Sequence, residues 1–148
     1  MRSKKINIAM PKDALILASI IEKETGDTGE RYLVSSVFHN RLRLGLRLQS
    51  DPSVYYALTG GKGRLKRPLT RNDLLVKSKY NTYRIKGLPL GPISNPGKAA
   101  LHAAVNPVKS NYLYFVANGR GGHFFSKSLK QHNHNVAKYR NLQQKSSR

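Results

Sequence analysis

Cysteine is absent from this 148-residue chain, which excludes disulfides and thiolate metal sites while leaving the compartment open. Long apolar runs are absent too: Leu15–Ile21 and Tyr112–Ala117 are too short to cross a bilayer. Met1–Lys5 is basic, but a polar stretch follows it instead of the apolar core of a signal peptide. Any segment that exports the protein is therefore expected outside these residues. No P-loop, GxGxxG or HExxH pattern occurs. Gly119–Gly122 has the glycines of a phosphate cradle but no following GK[ST], and a hairpin turn explains it. Carboxylates are scarce. Seven Asp and Glu face twenty-seven Lys and Arg, for a formal charge of +20 and a pI near 10.6.

The seven acids are Asp13, Glu22, Glu24, Asp27, Glu30, Asp51 and Asp73, with thirteen Lys or Arg and no side-chain carboxylate after them. Chemistry that needs a carboxylate must draw it from the first half. The positive field should attract polyanions, so non-specific affinity for nucleic acid in vitro is expected. The basic residues are spread along the chain, however, and the densest group, Lys62–Arg64–Lys66–Arg67, is small. No RNP motif, KH-type loop or zinc-finger spacing accompanies them.

The chain has the size of one domain. Its pattern predicts an α+β fold, mainly helical over the N-terminal two-thirds, with a β-hairpin and a final helix at the C-terminal end. Residues 1–11 read as a flexible lead-in, 12–142 as a single catalytic domain and 143–148 as a basic tail. Asp13 is a plausible N-cap for a helix to about Thr25, stopped by Gly26. A second helix fits Glu30 to about Leu44, broken by Gly45. Leu46–Gln49 alternates like a short extended segment. Asp51-Pro52 reads as N-cap and first position of a helix ending at Gly60-Gly61. Thr70 and Asp73 resemble the start of a short helix. Residues 80–96 form an ordered loop, and Asn95-Pro96 opens a helix over Lys98–Val105. Tyr112–Val116 and His123–Ser126 pair across a glycine-rich turn. The last helix runs from Ser128 to about Leu142.

On the first helix, Ser19, Glu22 and Lys23 gather on a polar side, opposite Leu17, Ile20 and Ile21. Glu24 falls between Leu17 and Ile20, on the apolar side. A carboxylate there loses hydration and its pKa should rise, as a general acid at neutral pH requires. A charged residue in a last helical turn also has a plainer account, protrusion beyond the core, and the helical wheel does not decide between them. Glu22 lies on the polar side and can pair with basic groups. Glu30 suits a helix N-terminus, Asp51 an N-cap and Asp73 a helix start. His39, His102, His123, His132 and His134 have structural or solvated roles, since their spacings make no chelate and no metal site is expected. Tyr55, Tyr56, Tyr80 and Tyr83 could stack on a pyranose or simply pack.

Several separated blocks resemble one family. They are Leu17-Ala-Ser-Ile-Ile-Glu-Lys-Glu-Thr25, Val37-Phe-His-Asn-Arg-Leu42, Arg47-Leu-Gln-Ser-Asp-Pro52, Tyr80-Asn-Thr-Tyr83, Gly87–Gly97, Tyr114-Phe-Val-Ala117 and Gly121-Gly-His123 with Phe125. In this order, from about residue 13 to 140, they resemble the catalytic region of the MltG (YceG-like) endolytic murein transglycosylases. The resemblance implies cleavage of the β-1,4 MurNAc–GlcNAc bond of peptidoglycan without water, leaving a 1,6-anhydro-MurNAc end, with no cofactor. It marks Glu24 as the catalytic acid. Gln49, Ser50, Asp51, Tyr80, Asn81, Thr82, Tyr83 and Asn95 lie in the matching blocks and are expected to supply the substrate groove. The implied partner is the glycan strand of peptidoglycan, and peptidoglycan synthases are allowed as further partners. The implied location is the periplasmic or extracytoplasmic face of the inner membrane. Full-length members resemble an anchor and a LysM-like domain followed by this region. Membrane attachment is thus expected only through an anchor outside this chain. Three other readings stand beside this one: a catalytically impaired wall-binding fragment, a basic nucleic-acid-binding domain, and a pyridoxal-phosphate lyase of aminodeoxychorismate. The last needs a phosphate cup, for which no motif is present.

Overall fold

A computed structural model describes residues 11–27, 29–63 and 65–146; of the expected lead-in 1–11, residues 1–10 lie outside them and Pro11 opens a helix. The described residues form helices α1 (Pro11–Glu24), α2 (Arg31–Leu44), α3 (Asp51–Thr59), α4 (Lys98–Val105) and α5 (Leu129–Ser146). A short 3-10 helix, Asp73–Leu75, and an antiparallel pair, β1 (Tyr114–Ala117) and β2 (His123–Ser126), complete them. The class is α+β, as the sequence predicts. In the hairpin, Tyr114 faces Ser126 and Phe115 faces Phe125.

Helix α1 is the axis of the core. Leu17, Ala18, Ile20 and Ile21 pack with Val34 and Phe38 of α2, Ala100 and Ala104 of α4, and Leu48 and Ile93 from loops. Alanines on α4 let that helix approach α1 closely, while Phe115 and Phe125 of the hairpin close over the same cluster. Phe38 meets Phe115 edge-on at 5.7 Å between centroids.

Three expectations change. Ser19, assigned to a polar side, is fully buried. Its hydroxyl donates to the Ile16 carbonyl at 2.6 Å and accepts from the Ile93 amide at 3.0 Å. Loop 80–96 covers that side of α1, so a wheel drawn for a helix with one wet face misplaces it. The caps also shift. Ser50 is the N-cap of α3 and Asp51 its first residue, while Gly97 caps α4 and donates its amide to Glu22 at 2.7 Å. Glu22 thus neutralises an open helix N-terminus rather than pairing with a cation. Finally, Leu46–Gln49 joins no strand, and α5 continues four residues past the expected end. Asp73 and Thr70 do form the reciprocal cap, with bonds of 2.8 and 3.1 Å.

Candidate active site

Glu24 is the last residue of α1. The chain turns at once: the Asp27 amide donates to Thr25 Oγ1 at 3.0 Å, and Asp27 Oδ1 accepts from the Gly29 amide at 2.8 Å. This tight connection into α2 fixes the end of α1 in place. Glu24 opens onto a cleft of about 580 Å³, a size suited to a small-molecule or sugar ligand. One wall carries Gln49, Asp51 and Tyr83; the other is built by β1, His123 and the α5 residues Leu129, His132 and Tyr139.

The Glu24 carboxyl is half-buried, with no ion partner among the described residues. Desolvation by the surrounding protein pushes its pKa up to about 8, and the charge of Asp51 pushes in the same direction. The Ser50 hydroxyl opposes them weakly as a donor, without reaching full hydrogen-bond geometry. The free carbonyls at the C-terminal end of α1 also disfavour a negative charge there. Glu24 therefore keeps its proton at neutral pH.

The opposite wall depends on a buried hydroxyl network. Thr82 Oγ1 accepts from the Ser50 amide at 2.8 Å and meets the Ser53 hydroxyl at 2.8 Å. Asn81 donates to the carbonyls of Leu74 and Val76 at 2.9 and 2.8 Å, and its own oxygen accepts from the Tyr83 amide at 2.9 Å. These bonds hold Tyr83 where its hydroxyl donates to Asp51 Oδ1 at 2.5 Å. Burial and the neighbouring Asp51 charge drive the Tyr83 pKa far upward, so it remains a donor. Gln49, whose amide donates to the Thr82 carbonyl, has φ 53°. Among the described residues it is the only non-glycine in the left-handed region, and it sits on the cleft. Strain of this kind persists where the surroundings hold it, as the Thr82 bonds do.

Of the nine residues singled out in the sequence, Glu24, Gln49, Asp51 and Tyr83 come together on the cleft. Ser50, Asn81 and Thr82 are fully buried behind its wall. Tyr80 packs on Tyr56 at 4.8 Å and joins the core, and Asn95 is exposed away from the cleft. Tyr55 and Tyr56 line a separate hollow of about 520 Å³.

The sequence reading left Arg41, Tyr114, His123 and His132 without a role at the site, yet all four line the cleft. Arg41 is 7% exposed and anchors to the carbonyls of Leu113 and Arg47 at 2.7 and 2.6 Å. Its guanidinium lies over the Tyr114 ring at 4.9 Å, and His132 stacks on the same ring at 5.0 Å. Desolvation first, and then Arg41, lower the His132 pKa and keep that ring neutral. For Arg41, Tyr114 and His123 the only signal was membership in the matching blocks, and His132 had none, since no spacing rule joins residues so far apart.

A carboxyl that holds its proton at neutral pH, set in an open cleft with a second carboxylate and tyrosine donors, is the equipment of a general-acid enzyme. The comparisons with known proteins specify the class. The model of the YceG-like family matches residues 2–138. An endolytic murein transglycosylase of Bacillus subtilis is 42% identical over 136 residues, covering 92% of this chain and 36% of the relative. One from Streptococcus pneumoniae is 33% identical over 146 residues, covering 95% and 25%. The crystal structure of a YceG-like protein from Listeria monocytogenes superposes with a TM-score of 0.74 at 49% identity, over 83% of this chain and 38% of that one. The chain belongs to the YceG-like family. It spans little more than a third of these relatives' lengths at most.

Proposed function

We propose that this chain is the catalytic region of a lytic transglycosylase that cuts the β-1,4 bond between MurNAc and GlcNAc inside peptidoglycan strands. Glu24 is its acid and base. The observation that carries the reading is the Glu24 carboxyl, held protonated near neutral pH and lining a cleft, in a chain whose relatives are named endolytic murein transglycosylases.

The chemistry follows from that proton. Glu24 gives it to the glycosidic oxygen, which leaves as the C4 hydroxyl of GlcNAc while positive charge spreads over C1 and the ring oxygen of MurNAc. The MurNAc C6 hydroxyl then attacks C1, and the Glu24 carboxylate takes back a proton as the 1,6-anhydro bridge closes. Ordinary glycosidases need a second carboxylate as nucleophile or to activate water. Here the intramolecular hydroxyl replaces both. Asp51 has two electrostatic roles, raising the Glu24 pKa before the reaction and facing the cationic ring during it. Gln49 and Tyr83 meet the sugar, while Ser50, Asn81 and Thr82 brace the wall that presents them. The reading sets the work of the chain at the cell envelope, outside the cytoplasm, where peptidoglycan lies. No helix among the described residues is long and apolar enough to cross a membrane.

The test is digestion of purified peptidoglycan with the chain, followed by mass spectrometry of the products. Wild type should release anhydro-muropeptides, Glu24→Gln none, and Glu22→Gln should retain them because Glu22 only caps α4. Non-anhydro reducing ends from wild type would make the enzyme a hydrolase and overturn the reading.

A further inference from the structure

The geometry points to His123 as a further glycan-contacting residue of this cleft, aimed by Glu30 so that its Nε2 accepts a hydrogen bond from a sugar hydroxyl. The inference rests on the transglycosylase reading for its ligand, but on separate observations for its residue.

Glu30 grips His123 at two points. Its Oε1 lies 2.6 Å from His123 Nδ1, and its Oε2 accepts from the His123 backbone amide at 2.9 Å. The side chains are 13% and 17% exposed, from residues 93 positions apart. The approach depends on Gly122: a Cβ there would lie 2.7 Å from Glu30 Oε2, so a side chain at this position would displace the carboxylate. Phe115, edge-on at 5.3 Å, and Phe125, at 6.2 Å, fix the plane of the imidazole. The ring therefore has one orientation.

That orientation decides the chemistry. A carboxylate only accepts, so the proton of a neutral His123 ring sits on Nδ1 and Nε2 offers its lone pair. Nε2 is the ring nitrogen without a protein partner among the described residues, and His123 lines the same cleft as Glu24. A staple between α2 and the hairpin would explain the Glu30 contact. It would not require an imidazole on the cleft wall with one nitrogen left unused. Glycans are rich in hydroxyl donors and fit that acceptor. Glu30 is then a positioning residue, fixing tautomer and ring angle much as the outer carboxylate of a metal-bound histidine does.

The substitution His123→Asn separates the two roles. Its side-chain amide nitrogen takes the place of Nδ1 and keeps the bond to Glu30, but no atom occupies the place of Nε2. The variant should melt close to wild type while kcat/KM for release of anhydro products falls on the order of tenfold, as for one lost hydrogen bond. Wild-type kcat/KM in a folded His123→Asn chain would overturn the inference. A second measurement holds even if that variant fails to fold. In the Glu24→Gln chain labelled with 15N-histidine, soluble peptide-free GlcNAc–MurNAc oligosaccharides should shift the His123 Nε2 resonance and leave Nδ1 nearly still. Glu30→Ala should shrink that response. Oligosaccharide binding that moves cleft resonances but not His123 overturns this inference alone, whereas non-anhydro ends from wild type would overturn the function reading and anhydro products from Glu24→Gln the role of Glu24 in it.

Discussion

Glu24 and Asp73 are both carboxylic acids in a chain with few of them, and their surroundings drive them in opposite directions. Asp73 receives two bonds from Arg67, at 2.6 and 3.0 Å, and one from the Thr70 amide, at 2.8 Å. The Arg67 bond, followed by the Thr70 amide, holds its pKa well below the usual carboxylate range. Glu24 has neither partner and rises to about 8. A net charge of +20 is therefore no guide to either residue. Donors within hydrogen-bond reach decide: Asp73 has a guanidinium and an amide, whereas Glu24 has only the weak opposition of the Ser50 hydroxyl. One carboxylate secures a loop; the other holds a proton that can be given away.

The largest expected effect is on catalysis. Glu24→Gln should lower the rate of anhydro-product release by roughly 100-fold or more, whereas Asp73→Asn should leave the kcat of the folded enzyme near wild type. A comparable kcat loss in both would erase the distinction between them. Next comes pH. kcat/KM should decline above about pH 8 as Glu24 loses its proton, and Asp51→Asn, by removing a repelling charge, should move that limb to lower pH by on the order of one unit. An unmoved limb would remove Asp51 from the electrostatics of the site.

Stability supplies the third measurement. Between the ordinary pKa of 4.5 and the folded value of about 8, the folded chain holds the Glu24 proton and the unfolded chain does not, so wild type loses stability as pH rises through that window. Glu24→Gln escapes the loss. Its advantage should grow across the window to roughly 2 kcal/mol, allowing for partial exposure to solvent, when denaturant midpoints are compared at pH 5 and 9. The smallest effect has the opposite sign. Asp73→Asn should melt slightly below wild type at neutral pH, and the gap should close as pH falls below the ordinary Asp value of 3.8. A gap that stays open in acid would mean that the Arg67 pair is not its source.

The order of the helices and the hairpin was legible because each has local punctuation. Gly45 and Gly60 stop α2 and α3 with φ of 72° and 65°, and Thr70 with Asp73 announces its turn. Glu24 was legible on two grounds, its place on an apolar face and its place in a matching block. Ser19 was misread because whether a helix has a wet face is settled by a loop seventy residues away. The same limit applies to the bracing residues. Asn81 and Thr82 belong to the right block, but only the fold shows their polar atoms turned inward to Leu74, Val76 and Ser53. The far wall was the least legible part. Arg41 and His132 meet on the Tyr114 ring, and His123 is held by Glu30, through stacking and long-range bonds that leave no periodic trace.

Apart from Arg41, that far wall comes from β1, His123 and α5, while Glu24 ends α1. Without those later residues the Glu24 carboxyl loses one side of its cleft, and a carboxylate wetted on every side titrates like any other. A copy of this region clipped before β1 should therefore carry Glu24 with a pKa nearer the ordinary carboxylate value. On the proposed reading, acid chemistry at Glu24 needs both walls of the cleft in place.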